Sequence, residues 1–270
     1  MKRIFFLLCV LLLSACAPVP ITGRKRVIPP MPASQVNPMA LAQYNEFLKT
    51  NTLSGNETQV RMVKNVGARL SEAVDRFFDQ SGTPELKKQY NWEFNLVENE
   101  QMNAWCMPGG KVVFYTGIMP VCKDETGVAV VMGHEIAHAI AEHGGERMSQ
   151  GLAAQGINVA GAVANEYFSK NPEKTRDLVS MALGMGTQVG MLKYSRVHET
   201  EADKIGLVIM AMAGYNPQES IEFWKRMSEM SKGQAPPEFL STHPSHDTRI
   251  ENLKRFMPEA MRHYDSKNKF

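Results

Sequence analysis

The chain of 270 residues has only four cysteines, Cys9, Cys16, Cys106 and Cys122, which is too few for a disulfide framework. Two of them lie in the first sixteen residues, so at most Cys106 and Cys122 concern the fold, as a disulfide or as two buried thiols. Surplus charge is missing as well: 30 Lys and Arg against 28 Asp and Glu leave a formal net charge of +2. The basic residues are scattered rather than massed on one segment, which excludes nucleic acid as a partner. Long apolar runs are also absent. Residues 4–13 form an uncharged apolar stretch of ten, too short to span about 30 Å of hydrocarbon, and no later stretch reaches the roughly 18 apolar residues that a spanning helix needs. What remains, 43% hydrophobic and 21% charged, is the composition of a sizeable folded domain.

Lys2 and Arg3 before the apolar run make residues 1–15 read as a signal peptide. The run ends in Leu13-Ser14-Ala15-Cys16, which resembles a bacterial lipobox and implies a mature chain beginning at a lipidated Cys16. The alternative is an ordinary secretory signal with an incidental cysteine. The lipobox reading anchors the protein to a membrane through acyl chains. It places it in a bacterial cell envelope, with Ala17 in place of a retaining Asp pointing to the outer membrane, facing the periplasm. Residues 16–34 carry five prolines and the triplet Arg24-Lys25-Arg26, and read as an extended tether whose basic residues meet headgroups or form a solvated turn.

The rest, residues 35–270, reads as one mostly helical α+β domain with a small sheet. Residues 37–49, with Asn37 capping before Pro38, and residues 59–78 have apolar positions at helical spacing, for instance Val63, Val66, Leu70 and Val74. Trp92, Phe94 and Leu96 alternate with polar residues as in a half-buried strand. After Pro108-Gly109-Gly110, the residues Lys111, Val112, Val113, Phe114 and Tyr115 form a second strand, expected at the edge of the sheet beside the active-site cleft. Residues 124–142 are a long helical pattern that Gly144-Gly145 would cap. Further helices are expected at 197–212, at 217–230 and from about residue 246, and Met181, Met185 and Met191 read as core filler.

The chemistry is concentrated in His134-Glu135-Ile136-Ala137-His138. Four residues apart on a helix, the two histidines share a face and can reach one Zn²⁺ at about 2.0–2.1 Å. Glu135 lies about 100° round the helix, placed to address a water rather than the metal. A third histidine six residues after His138 would extend the motif, but that position is Gly144. His143 falls about 140° away from the metal face and reads as a helix-end histidine. A third ligand comes instead from Glu199-Thr200-Glu201-Ala202-Asp203: Glu199 and Asp203 share a face, one to ligate and the other to hold an imidazole tautomer, while Glu201 points elsewhere.

These residues resemble the zinc metallopeptidase family, of gluzincin type, that contains the HtpX proteases, the CAAX prenyl-protein endopeptidases and BepA. The resemblance is carried by residues 133–144, Ser195-Arg196, residues 199–203, Asn103-Ala104, Pro108-Gly109-Gly110, Pro20-Ile21-Thr22-Gly23-Arg24-Lys25, Ser241-Thr242-His243-Pro244 and Arg249. It implies a zincin-like fold, one Zn²⁺ per chain on His134, His138 and Glu199, and Asp203 behind a ligand. It also favours the lipid-anchored branch, since the spans of the membrane-embedded members are absent.

The expected activity is zinc-dependent hydrolysis of peptide bonds in misfolded or misassembled envelope proteins, with Glu135 as general base and the substrate added as a strand beside residues 111–115. His243, in a loop that resembles one reaching the zinc in BepA-like proteins, is expected as a fourth ligand that closes the site at rest. Arg249 is expected to stabilise an oxyanion or to back the ligands. The competing reading is an outer-membrane protein assembly factor or chaperone with a regulatory or silent zinc, linked to the assembly machinery.

Overall fold

In a computed structural model the chain is described over residues 18–19, 22–26, 31–154, 195–230, 239–240, 243 and 248–267, together with 170, 171, 173, 174 and 177. The signal-peptide region, Cys16 and the methionines at 181, 185 and 191 lie outside the described residues.

Three short strands, β1 (Glu93–Val97), β2 (Ala104–Met107) and β3 (Lys111–Tyr115), form a sheet in the order β1-β3-β2. β1 runs parallel to β3, and β2 pairs antiparallel with it through a tight turn. Gly109 and Gly110 make that turn at φ 83° and 85°, a region closed to most side chains. The expected place of β3 is therefore corrected: Lys111 to Tyr115 is the central strand, buried along its whole length, and no substrate can pair with it. The reason is the preceding Ala104-Trp105-Cys106-Met107, which reads as no clear strand pattern because it is buried at every position. Helix α1 (Ala33–Thr50) covers one face, packing Val36, Ala40 and Tyr44 against Trp105, Val113 and Tyr115. The other face, with Leu96, Cys106, Val112 and Phe114, belongs to the main core. α1 begins well before Asn37 and takes Pro38 inside as its sixth residue, where the ring removes one helical hydrogen bond.

Helix α2 (Glu57–Gln80) is capped by the Asn56 side chain, which accepts from the Gln59 N–H. It buries Val63, Val66, Leu70 and Val74, the stripe expected from spacing. After the short α3 (Met119–Cys122), α4 (Glu125–Ile140) is capped by Asp124, which accepts from the N–H groups of Thr126 and Gly127. α4 is buried almost all round, so its hydrophobic pattern is nearly continuous. Its C-terminus departs from the expected glycine cap. The chain reverses at Glu142, a non-glycine residue at φ 58°, and Gly144 and Gly145 lie inside α5 (His143–Ala154). Arg26 holds this corner by donating to the Ala141 carbonyl at 3.0 Å and pairing with Glu142 at 3.0 Å, which also places a cation at the negative end of the helix.

Helix α6 (Arg196–Met212), capped by Ser195, packs closely against α4. A methyl at Gly206 would sit 3.0 Å from the Gly133 carbonyl carbon and the His134 nitrogen, so the two backbones touch where the metal motif begins. α7 (Glu219–Met230) and α8 (Arg249–Lys267) follow in the chain. Cys106 and Cys122 are both buried free thiols, which settles that pairing. No helix among the described residues is long and apolar enough to cross a membrane.

Part of the stretch expected as a tether is packed against the domain. Val19 is buried in the main core, and Arg24 and Arg26 point inward onto carboxylates instead of toward lipid or solvent. The physical reason is charge compensation: Glu146 and Glu201 are buried acids, and these arginines neutralise them.

Candidate metal centre

The Gly133–Gly206 contact brings His134 and His138 of α4 over Glu199 and Asp203 of α6. His134 Nε2 and His138 Nε2 are 3.1 Å apart. The Glu199 carboxylate lies 3.5 Å from the first and 3.4 Å from the second. His243 completes the group, its Nδ1 being 3.2 Å from His134 Nε2 and 3.1 Å from Glu199 Oε1. All four residues are buried, with ligand atoms within 4.8 Å of one another. Four ligands at about 2.0–2.1 Å from a tetrahedral metal are separated by about 3.3–3.4 Å, so the observed gaps have the size that zinc requires.

The electrostatics agree. Burial disfavours a charged His134, yet Asp203 and Glu199 outweigh it and push its pKa up to about 9, the response of a site that calls for positive charge. Burial likewise works against an ionised Glu199, but the three surrounding imidazoles hold it well below the ordinary carboxylate range. Burial raises Glu135, and the His243 and His134 imidazoles beside it pull it down by less. Glu135 Oε1 is 3.3 Å from His243 Nε2 and accepts no hydrogen bond among the described residues.

Each ligand imidazole is held from behind. His134 Nδ1 is 3.0 Å from Asp203 Oδ1 and 3.2 Å from Arg249 Nη2; the shorter contact is to an acceptor, so Nδ1 donates to Asp203 and Nε2 faces the ligand cluster. Asp203 is fixed by Arg249 Nη2 at 2.6 Å, while Nη1 reaches Glu199 at 3.3 Å. The guanidinium lies 3.3 Å over the Trp224 ring. The guanidinium thus lies behind the ligand cluster, bonded to Asp203 and Glu199.

Sequence reasoning missed the residues behind His138. His143 is fully buried, and because the chain turns back at Glu142 its Nδ1 comes within 2.8 Å of His138 Nδ1. Its Nε2 is 2.9 Å from Glu201. Burial pushes His143 down to about 4, against the pull of Glu201, so its ring is neutral. Glu201 does point away from the metal face, but into a buried polar layer with Thr22, Arg24 and His143. The available signal was chemical: buried acids need cations, and Arg24-Lys25-Arg26 offered them. A cleft of about 450 Å³, counting space open to solvent, is lined by Met31, Val36, Tyr90, Cys106, His138 and Glu142, among others.

Residues 65–257 match the model of peptidase family M48. The chain belongs to this family. M48 members are zinc metallopeptidases, which agrees with the metal cluster. One similar protein is the mitochondrial metalloendopeptidase OMA1 of Saccharomyces cerevisiae, 34% identical over 220 residues, which are 75% of this chain and 57% of that protein. Human OMA1 is 29% identical over 252 residues, 90% of this chain and 46% of that protein. The β-barrel assembly-enhancing protease of Escherichia coli is 27% identical over 165 residues, 60% of this chain and 34% of that protein. The chain spans about half the length of the OMA1 relatives it matches. These matches correct the expected location. The relatives that cover 64% or more of this chain are mitochondrial enzymes of yeasts, animals and a plant, which overturns the placement at a bacterial outer membrane facing the periplasm.

Proposed function

We propose that this chain is a zinc-dependent endopeptidase acting on polypeptide substrates, with His134, His138 and Glu199 as metal ligands, Asp203 orienting His134, and Glu135 as general base. The domain that carries the activity takes in residues 18–26 as well as the chain from residue 35 onward. Zinc held there supplies Lewis acidity to water and to the scissile carbonyl. Glu135 takes the proton of the attacking water and delivers it to the leaving amine. Its raised pKa suits both transfers, because a carboxylate nearer neutrality holds the proton between them.

The observation that carries this reading is Glu135 itself. It is 2% exposed, beside the ligand cluster without being a member of it, in a place where a purely structural site has no use for a base. His243 then acts as the gate. It fills the fourth ligand position through Nδ1 and faces Glu135 through Nε2, so its withdrawal frees a coordination position and the base together. A substrate strand would then add at an edge of the sheet, β1 or β2, since β3 has neighbours on both sides and β1 is already bridged at Val97 by Leu53. The cleft between Cys106 and His138 receives a side chain next to the scissile bond.

One observation favours a second reading, an assembly factor or chaperone with a silent zinc: all four tetrahedral positions have a protein group at hand. Casein digestion by the full chain and by His243→Ala, each with and without a chelator, separates the two. Chelator-sensitive cleavage supports the enzyme. Zinc-loaded protein that cleaves nothing in either form supports the silent site.

A further inference from the structure

The two ligand imidazoles are backed by different hardware. Behind His134 stands a carboxylate of α6, Asp203, held by an arginine from α8, Arg249. Behind His138 stands another carboxylate of α6, Glu201, held by an arginine from the N-terminal segment, Arg24, but with the His143 ring inserted between. We propose that Glu201, His143 and Arg24 are positioning residues of the metal centre, through which the docked residues 18–19 and 22–26 set the tautomer and orientation of His138.

The argument follows the protons. Glu201 Oε2 accepts at 2.9 Å from His143 Nε2, so that nitrogen carries the hydrogen. Nδ1 of the same ring lies 2.8 Å from His138 Nδ1, a gap that holds one hydrogen. With His138 Nε2 turned to the ligand cluster beside Glu199, that hydrogen sits on His138 Nδ1 and His143 Nδ1 accepts it. His138 Nε2, on the side of Glu199, keeps its lone pair for the metal. The charge on Glu201 thus decides, two rings away, which nitrogen of His138 can ligate.

Glu201 is 5% exposed and depends on the N-terminal segment to remain an acceptor. Arg24 Nε donates to it at 2.6 Å and the Thr22 hydroxyl donates to its other oxygen. The other end of Arg24 is clamped on Glu146 of α5 at 2.6 and 3.0 Å, so one guanidinium bridges two helices. The segment is itself preformed: Val19 N–H donates to the Arg24 carbonyl at 3.0 Å, Gly23 N–H donates to the Val19 carbonyl at 2.9 Å, and the Val19 side chain is buried. Among the described residues no second group of three ligand atoms lies close enough to hold a metal of its own, so this layer serves the cluster beside it.

The proposal rests on the metal cluster of the proposed function but is tested on metal binding, not on proteolysis. Zn²⁺ affinity of the full chain is measured by chelator competition, and the Co²⁺ form by its visible absorption, in Glu201→Gln, Arg24→Ala, Arg24→Lys and Glu146→Gln. The expected result is a 10- to 100-fold weaker affinity and an altered Co²⁺ band in Glu201→Gln, where the amide can donate to His143 and invert the tautomers. Arg24→Ala should lose less, about tenfold, and Arg24→Lys should recover part of it. Glu146→Gln frees one end of Arg24 but leaves the Glu201–His143 bond in place, so it should lower Tm while affinity falls by less than in Arg24→Ala. Equal affinity in Glu201→Gln and wild type, or an equal loss in Glu146→Gln, reduces the layer to structural charge compensation and overturns the proposal. Should Arg24→Ala fail to fold, Glu201→Gln and Arg24→Lys decide alone. A wild-type chain that binds no zinc refutes the proposed function instead.

Discussion

Behind His134 a carboxylate four residues along the same helix as the Glu199 ligand makes direct contact, whereas behind His138 the carboxylate acts through a ring from a third helix. The two sides do the same job with parts of different sequence separation. Asp203 is fixed to the ligand set by helical periodicity, so its contact survives any adjustment that keeps α6 whole. The His138 side depends on the reversal at Glu142 and on a segment more than a hundred residues upstream, which makes it the side open to change.

The largest effect belongs to the residue that serves neither side. Glu135→Gln should keep its zinc and lose about 10²- to 10⁴-fold in turnover, because the amide cannot accept the water proton. Measured turnover within a few-fold of the parent would remove Glu135 from the mechanism. Metal content is the control, since Glu199→Ala and His134→Ala should lose zinc outright.

Next comes the comparison itself. Asp203→Ala should weaken zinc binding by about 10- to 100-fold, and by at least as much as Glu201→Ala, because its contact to the ligand is direct and Arg249 is left buried beside it. Chelator titration of both variants ranks the two sides. If Glu201→Ala costs more, the relay through His143 holds its imidazole more tightly than the direct bond, and the ranking reverses.

A smaller effect of opposite sign is expected at the gate. His243→Ala should raise basal casein cleavage several-fold while zinc stays bound through His134, His138 and Glu199. A fall would instead give His243 a part in the reaction, and an unchanged rate would leave the fourth position without influence on access.

This asymmetry also tracks what could be read from sequence. The metal face was legible because i,i+4 spacing on two helices is a local rule: His134 with His138, and Glu199 with Asp203, follow from periodicity alone. The helices were legible for the same reason, Val63 to Val74 above all. The sheet order was not, since β2 is buried on both faces and shows no alternation, and this left β3 looking like an edge. His143 was misplaced by extending the α4 helix through Glu142, where Arg26 instead secures a left-handed residue. Arg24 was taken for a surface charge because nothing in its neighbourhood shows that its partners, Glu146 and Glu201, are buried. Long-range charge pairing has no period, so it appears only in the fold.

The smallest effect tests whether Arg24 and its partners carry their charge in the folded state. Burial alone would raise Glu146, but His198 and Arg24 hold it down to about 2, against an ordinary value of 4.5. A carboxylate lowered on folding contributes stability that is fully present above about pH 4.5 and is lost as the pH falls toward 2, because in that interval the unfolded chain binds the proton and the folded chain does not. Glu146→Gln cannot titrate. The stability difference between wild type and this variant, taken from urea unfolding in the presence of chelator, should therefore be constant from pH 5 to 7 and shrink by about 1–3 kcal/mol between pH 4.5 and pH 2. Use of chelator on both proteins cancels the acid loss of metal and the titration of Glu199. A difference that stays flat down to pH 2 would mean that Glu146 is protonated or unpaired in the folded chain. In that case Arg24 would have Glu201 as its main anchor, and the N-terminal segment would hold to the metal centre through the His138 side alone.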